Sequence, residues 1–202
     1  LMLAAIMMMA MSVTAFATEG ATGAHTLTVN VKTGTGVPTQ TLKDQTIYLY
    51  KLFDVTESGT TGSKNYAYTV NTATGYKEVL VAALNNSAIT ESSTDEAIAD
   101  AVRNIGNNDS TEVQNFANAF TTQALTKNPK LDATANSGKL GDVTFYEFTG
   151  LDSGYYLVYV TGGKSIQSSL LTVDNEHTTV NLKTEAPSIE KIADKTTVNI
   201  GD

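Results

Sequence analysis

The chain has no cysteine and no tryptophan, only two histidines and three prolines, and no methionine beyond its first eleven residues. Without cysteine there is no disulfide, no thiolate zinc site, no iron–sulfur cluster and no cysteine nucleophile. His25 and His177 stand far apart, neither in metal-ligand spacing, and a Ser-His-Asp triad would have only these two bases. No G-x-S-x-G elbow supports such a triad. Basic residues are also scarce. Thirteen Lys and Arg face 21 Asp and Glu, a net charge of -8, which argues against nucleic acid or an anionic membrane as partner. What remains is ordinary in amount: 202 residues, 41% hydrophobic, enough for one full domain with a real core.

The two ends differ from the middle. Residues 1–17 are apolar and uncharged and close on the small-x-small pattern Ala15-Phe16-Ala17. That is the h-region and cleavage site of a secretory signal peptide, with the cut between Ala17 and Thr18. There is no basic n-region and no initiator Met, so a leader truncated at its start is expected. At the other end the alternating Val198-Asn199-Ile200 reads as a strand whose partners would lie beyond Asp202. The expected organisation is a signal peptide at 1–17, a domain at 18–184, and a linker with the first strands of a second domain at 185–202.

Along the domain, 25–32 alternates with Leu27, Val29 and Val31 on one face, and 45–53 is β-branched and aromatic. Gly59 to Lys64 reads as a turn and 66–70 as a third strand. The period then becomes helical. Tyr76 to Leu84 is one expected helix. Ser93 and Glu96 form a capping box opening a second, with Ala97, Ile98, Ala101, Val102 and Ile105 on its stripe. A third starts at Asp109-Ser110 and carries Val113, Phe116, Ala117, Phe120 and Ala124. Strands resume at 142–148, 155–161, 169–173 and 178–182, with Thr149 to Gly154 read as a turn. The prediction is a mainly β fold, a β-sandwich with a helical insertion.

Chemical motifs are few. Gly162-Gly163-Lys164-Ser165 imitates the tail of a phosphate-binding loop, but the motif's earlier glycine would fall on Val158 in a strand, so a hairpin turn is expected. No hydrolase, transferase or redox site emerges, and the chain is read as a non-enzyme without metal or cofactor. The Thr-, Ser-, Gly- and Asn-rich stretches at 56–65 and 126–140 are expected as exposed loops able to bind something.

Gly150-Leu151-Asp152-Ser153-Gly154-Tyr155-Tyr156-Leu157-Val158 resembles the "GLxxGYYLV" turn-and-strand of sortase-assembled pilins of Gram-positive bacteria. Val180 to Lys191 resembles the junction between a pilin's N-terminal domain and its next one, and the strand ending Tyr48-Leu49-Tyr50-Lys51 is similar to collagen-adhesin B-type domains. The resemblance implies an Ig-like, collagen-adhesin B-type sandwich in an exported, wall-attached structural subunit, with other pilin subunits and a sortase as partners. The alternative it leaves is a non-polymerising wall-anchored adhesin that binds a host protein or glycan.

Two lysine chemistries are implied. In backbone pilins a lysine in a W-x-x-x-V-x-V-Y-P-K motif attacks the thioester that sortase forms with the neighbouring subunit. Lys183 falls on that lysine and Val180 matches, while Asp174, Asn181 and Leu182 replace the Trp, Tyr and Pro. The other reading of Lys183 is a solvated lysine at a strand end. The second chemistry is an intradomain Lys–Asn isopeptide bond, for which Lys191 occupies the second domain's lysine position, its partners lying beyond Asp202. In the first domain the corresponding lysine falls near Val31, one residue from Lys32, and the acid falls near Tyr159-Val160. A one-residue shift turns a strand side chain to the other face, so no bond is expected there.

Overall fold

The structure, a computed structural model, describes residues 22–31, 39–60, 63–106, 110–163 and 167–182. The expected signal peptide, the linker at 185–202, Lys183 and Lys191 therefore lie outside the described residues.

The strands are β1 (His25–Val31), β2 (Thr46–Thr60), β3 (Ser63–Val70), β4 (Ala135–Asn136), β5 (Phe145–Leu151), β6 (Gly154–Thr161), β7 (Gln167–Val173) and β8 (His177–Leu182). Between β3 and β4 come α1 (Tyr76–Leu84), α2 (Asp95–Arg103) and α3 (Thr111–Thr126). The fold is mainly β, with its sheets in a sandwich-like arrangement. One sheet has the order β5-β1-β8, the other β3-β2-β6-β7, with the short β4 paired to the start of β2.

Alternation along β2 and β6 explains why the larger sheet can be covered on both faces. Ile47, Leu49, Tyr156, Val158 and Val160 pack with Leu27, Val29 and Val180 of the smaller sheet. Tyr50, Leu52, Phe53, Tyr155 and Leu157 point the opposite way and pack against the helices. Strands buried on both faces read as near-continuous apolar runs, as Gly154 to Thr161 does. The helix layer is anchored by fully buried Phe120, whose ring centroid lies 5.2 Å from that of Tyr50 in a T-shaped contact.

Several boundaries depart from the sequence reading. Within the stretch expected as a loop, residues 56–60 and 63–65 are strand, continuing β2 and β3 as a ladder of Thr56↔Ala67, Glu57↔Tyr66 and Ser58↔Asn65. Cross-strand pairing overrides the weak strand propensity of Ser and Gly there. Likewise Thr149 and Gly150 belong to β5, where the register against β1 shifts between His25 and Leu27 and Gly150 takes φ +70°. The glycine marks a β-bulge, so only Asp152 and Ser153 turn the chain. The N-cap of α2 is Thr94, whose hydroxyl accepts from the Ala97 N–H; Ser93 instead accepts from the Thr90 N–H. With Thr94 as N-cap the residue three on is Ala97, which has no polar side chain to return the bond, so a single hydroxyl cap replaces the expected Ser93–Glu96 box. Val113, Phe116, Ala117, Phe120 and Ala124 are buried together on α3, as the stripe predicts.

Candidate functional site

The polar residues of interest gather at one end of the sandwich, where β1 begins and the β5–β6 and β7–β8 turns meet. Their placement starts in β2. Lys51 pairs with Tyr156 and Phe53 with Tyr155, so Leu52 is an extra residue on the β2 side. This bulge lets Leu52 and Phe53 both face the helices, and it brings Asp54 to the face that Lys51 already occupies. Lys51 Nζ lies 2.6 Å from Asp54 Oδ1 and 3.3 Å from Asp152 Oδ2. Its side chain is only 15% exposed, while both aspartates keep about two-fifths of theirs in water (43% and 42%).

The stem of Lys51 crosses Gly154, the residue paired with Asp54. A Cβ there would stand 2.9 Å from Lys51 Cγ and 3.0 Å from the Phe53 carbonyl oxygen, so glycine is what this crossing admits. Burial by itself pushes the Lys51 pKa down, but the hydrogen bonds and charges of Asp54, then Asp152, outweigh it and the net shift is upward. An ammonium held charged by two carboxylates is a poor nucleophile, which makes Lys51 an anchoring group.

Beside it, His25 is buried in the same turn region. Its Nδ1 lies 2.7 Å from the carbonyl oxygen of Asn175, which can only accept, so this nitrogen carries the proton. In the neutral ring Nε2 is then left to accept from the Ser153 hydroxyl at 2.8 Å. The Gly23 N–H donates to Asp152 Oδ1 at 2.8 Å. A cavity of about 430 Å³ opens alongside, lined by Asp54, Asp152, Ser153, Thr56, Thr69 and Thr72. Apart from Val55, its described lining is hydroxyls and carboxylates.

A second cluster braces the long β2–β3 hairpin. Tyr66 donates its hydroxyl to Asp174 Oδ2 at 2.6 Å, and Lys64 Nζ lies 3.0 Å from Glu57 and 3.7 Å from Asp174. That hydrogen bond, with some burial, pushes the Tyr66 hydroxyl up to about 12. Asp174, the residue after β7, thus serves as a polar brace to the β2–β3 hairpin.

Of the residues singled out in the sequence, Ala17, Thr18, Lys183 and Lys191 lie outside the described residues, as does Lys32. Val31 and Val160 are buried in the apolar core between the sheets. Sequence reasoning missed Lys51, Asp54, Asp152, His25 and Ser153 as a group. Its one available signal was a lysine set inside the apolar run Leu49 to Phe53. Gly162 turns at φ +93° after β6, but Lys164 and Ser165 of the phosphate-loop look-alike lie outside the described residues. Among the described residues no three His, Cys, Asp or Glu side chains converge as a metal site, and no helix is long and apolar enough to cross a membrane.

No known protein-family model, curated protein or solved structure matches this chain.

Proposed function

We propose that the chain is the N-terminal domain of a structural subunit of a sortase-assembled pilus on a Gram-positive cell surface, built as an Ig-like, collagen-adhesin B-type sandwich. The observation that carries this reading is the direction of the first and last described strands. β1 and β8 lie side by side and run parallel, from Thr26↔His177 to Val31↔Leu182. The polypeptide therefore enters at the His25 end and leaves at the Leu182 end, an arrangement suited to domains strung head to tail. Leu182 is followed in the sequence by Lys183, the residue on the linkage position of the pilin motif. In the proposed reaction the Lys183 amine attacks the acyl-sortase thioester; an amide to the neighbouring subunit forms and the sortase thiol departs. Export through residues 1–17 and wall attachment through a C-terminal sorting signal complete the reading.

The test is expression of the full gene with its matching sortase, with and without Lys183→Arg. A high-mass ladder lost in the variant is the expected result. A ladder unchanged by Lys183→Arg moves the linkage to another lysine. No ladder with either protein overturns the polymerising reading in favour of the monomeric adhesin.

A further inference from the structure

We infer that the β1–β8 ladder is a mechanical clamp: tension between the two ends of the domain loads its six residue pairs in shear, all at once. The inference rests on the proposed function only in requiring that both ends be tethered. β1 points from the entry end to the exit end, and β8 points the same way beside it. A pull backwards on residue 22 and forwards on Leu182 slides one strand along the other. The evenly spaced bonds of a parallel ladder then share the load and must fail together. Had the two strands been antiparallel, the ends would leave on the same side and the bonds would peel singly.

Three features raise the resistance. β1 is the middle strand of its sheet, so its ladder to β5 on the other edge anchors it while the edge strand β8 is pulled along it. Leu27 and Val29 are fully buried against the facing sheet, so sliding also exposes apolar surface. At the point where force enters, His25 is hydrogen bonded to Asn175 and Ser153, and Gly23 to Asp152. These bonds tie the start of β1 to the β7–β8 and β5–β6 turns, which locks the first residue pair before the ladder is loaded.

The absence of cysteine makes the test direct, because engineered thiols are the only attachment points. Single-molecule pulling on the full chain compares two geometries. Thr22→Cys with Asn181→Cys, both at exposed positions, shears the ladder; Thr22→Cys with Glu176→Cys, also exposed, opens it from the entry end. At one loading rate the unfolding force in the first geometry is expected to exceed that in the second by about twofold or more, since forced rupture reports the barrier along the pulled direction. Equal forces overturn the clamp. Adding His25→Leu to the shear pair is expected to lower its force, and an unchanged force removes the lock at His25. Polymerisation plays no part in this measurement, so its failure is separable from that of the Lys183 ladder.

Discussion

Lys51 and Asp54 stand three apart in one strand, yet their side chains meet on the same face at 2.6 Å. A regular strand would place them on opposite faces, because its side chains alternate. The extra residue Leu52 cancels that alternation once and turns a parity mismatch into an ion pair. Asp152, delivered by the turn between the two sheets, completes the three-way contact. The bulge thus links the larger sheet to the turn that opens the candidate site.

Replacing Lys51 with methionine is expected to destabilise the protein at neutral pH. The variant leaves Asp54 and Asp152 facing each other without a cation. The cost is about 1–2 kcal/mol, below that of a fully buried pair because water screens both aspartates. The folded-state pKa of Lys51 lies above its ordinary 10.5, so the contribution is complete below that value and is lost as pH rises through the folded-state value. Urea denaturation of both proteins across pH should show a constant gap at neutral pH that narrows above 10.5.

Gly154→Ala tests the crossing of Lys51 over the bulge. The added Cβ meets the Phe53 carbonyl at 3.0 Å, and backbone there cannot retreat as a flexible side chain can. A loss of about 1–3 kcal/mol is expected. Gly141→Ala is the control, since nothing lies within 4 Å of its Cβ position. Its effect should stay within about 0.5 kcal/mol. Equal thermal midpoints for the two variants would refute the steric account.

Tyr50 and Tyr155 should resist ionisation. Burial is the main cause that pushes both hydroxyls up to about 12, from an ordinary 10.0. Folding favours the neutral phenols, so the unfolded chain ionises first and stability falls as pH climbs from 10 toward 12. Ultraviolet phenolate absorbance during alkaline titration should show these groups ionising late, together with loss of structure. Full ionisation near pH 10 with the fold intact would contradict the packing of Tyr50 against Phe120.

Much of this architecture is legible in the periodicity of the sequence. Alternation at Leu27, Val29 and Val31 and the stripe from Val113 to Ala124 on α3 correspond to buried faces, because each side pattern has one consistent way to reach a core. Ends and irregularities were less legible. Gly150 carries the same local signal in a turn and in a bulge, and only the position of β1 beside it decides between them. The Ser58-Gly59 end of β2 has little strand propensity and is held by its partners Asn65 and Lys64.

The sequence by itself determined the inventory of chemistry: no thiol, two imidazoles, an acidic balance, an apolar N-terminal stretch and the period of each element. These follow from residue identity and spacing, which need no partner. Only the tertiary structure decided that β1 lies parallel to β8, that Leu52 is surplus, and that Lys51, Asp54 and Asp152 meet while His25 reaches Asn175 and Ser153. Those contacts join residues as distant as Thr26 and His177, so they exist only once the two sheets have closed on a shared core. Local sequence fixes which face a side chain takes, whereas its distant neighbour is chosen by the packing that satisfies every face together.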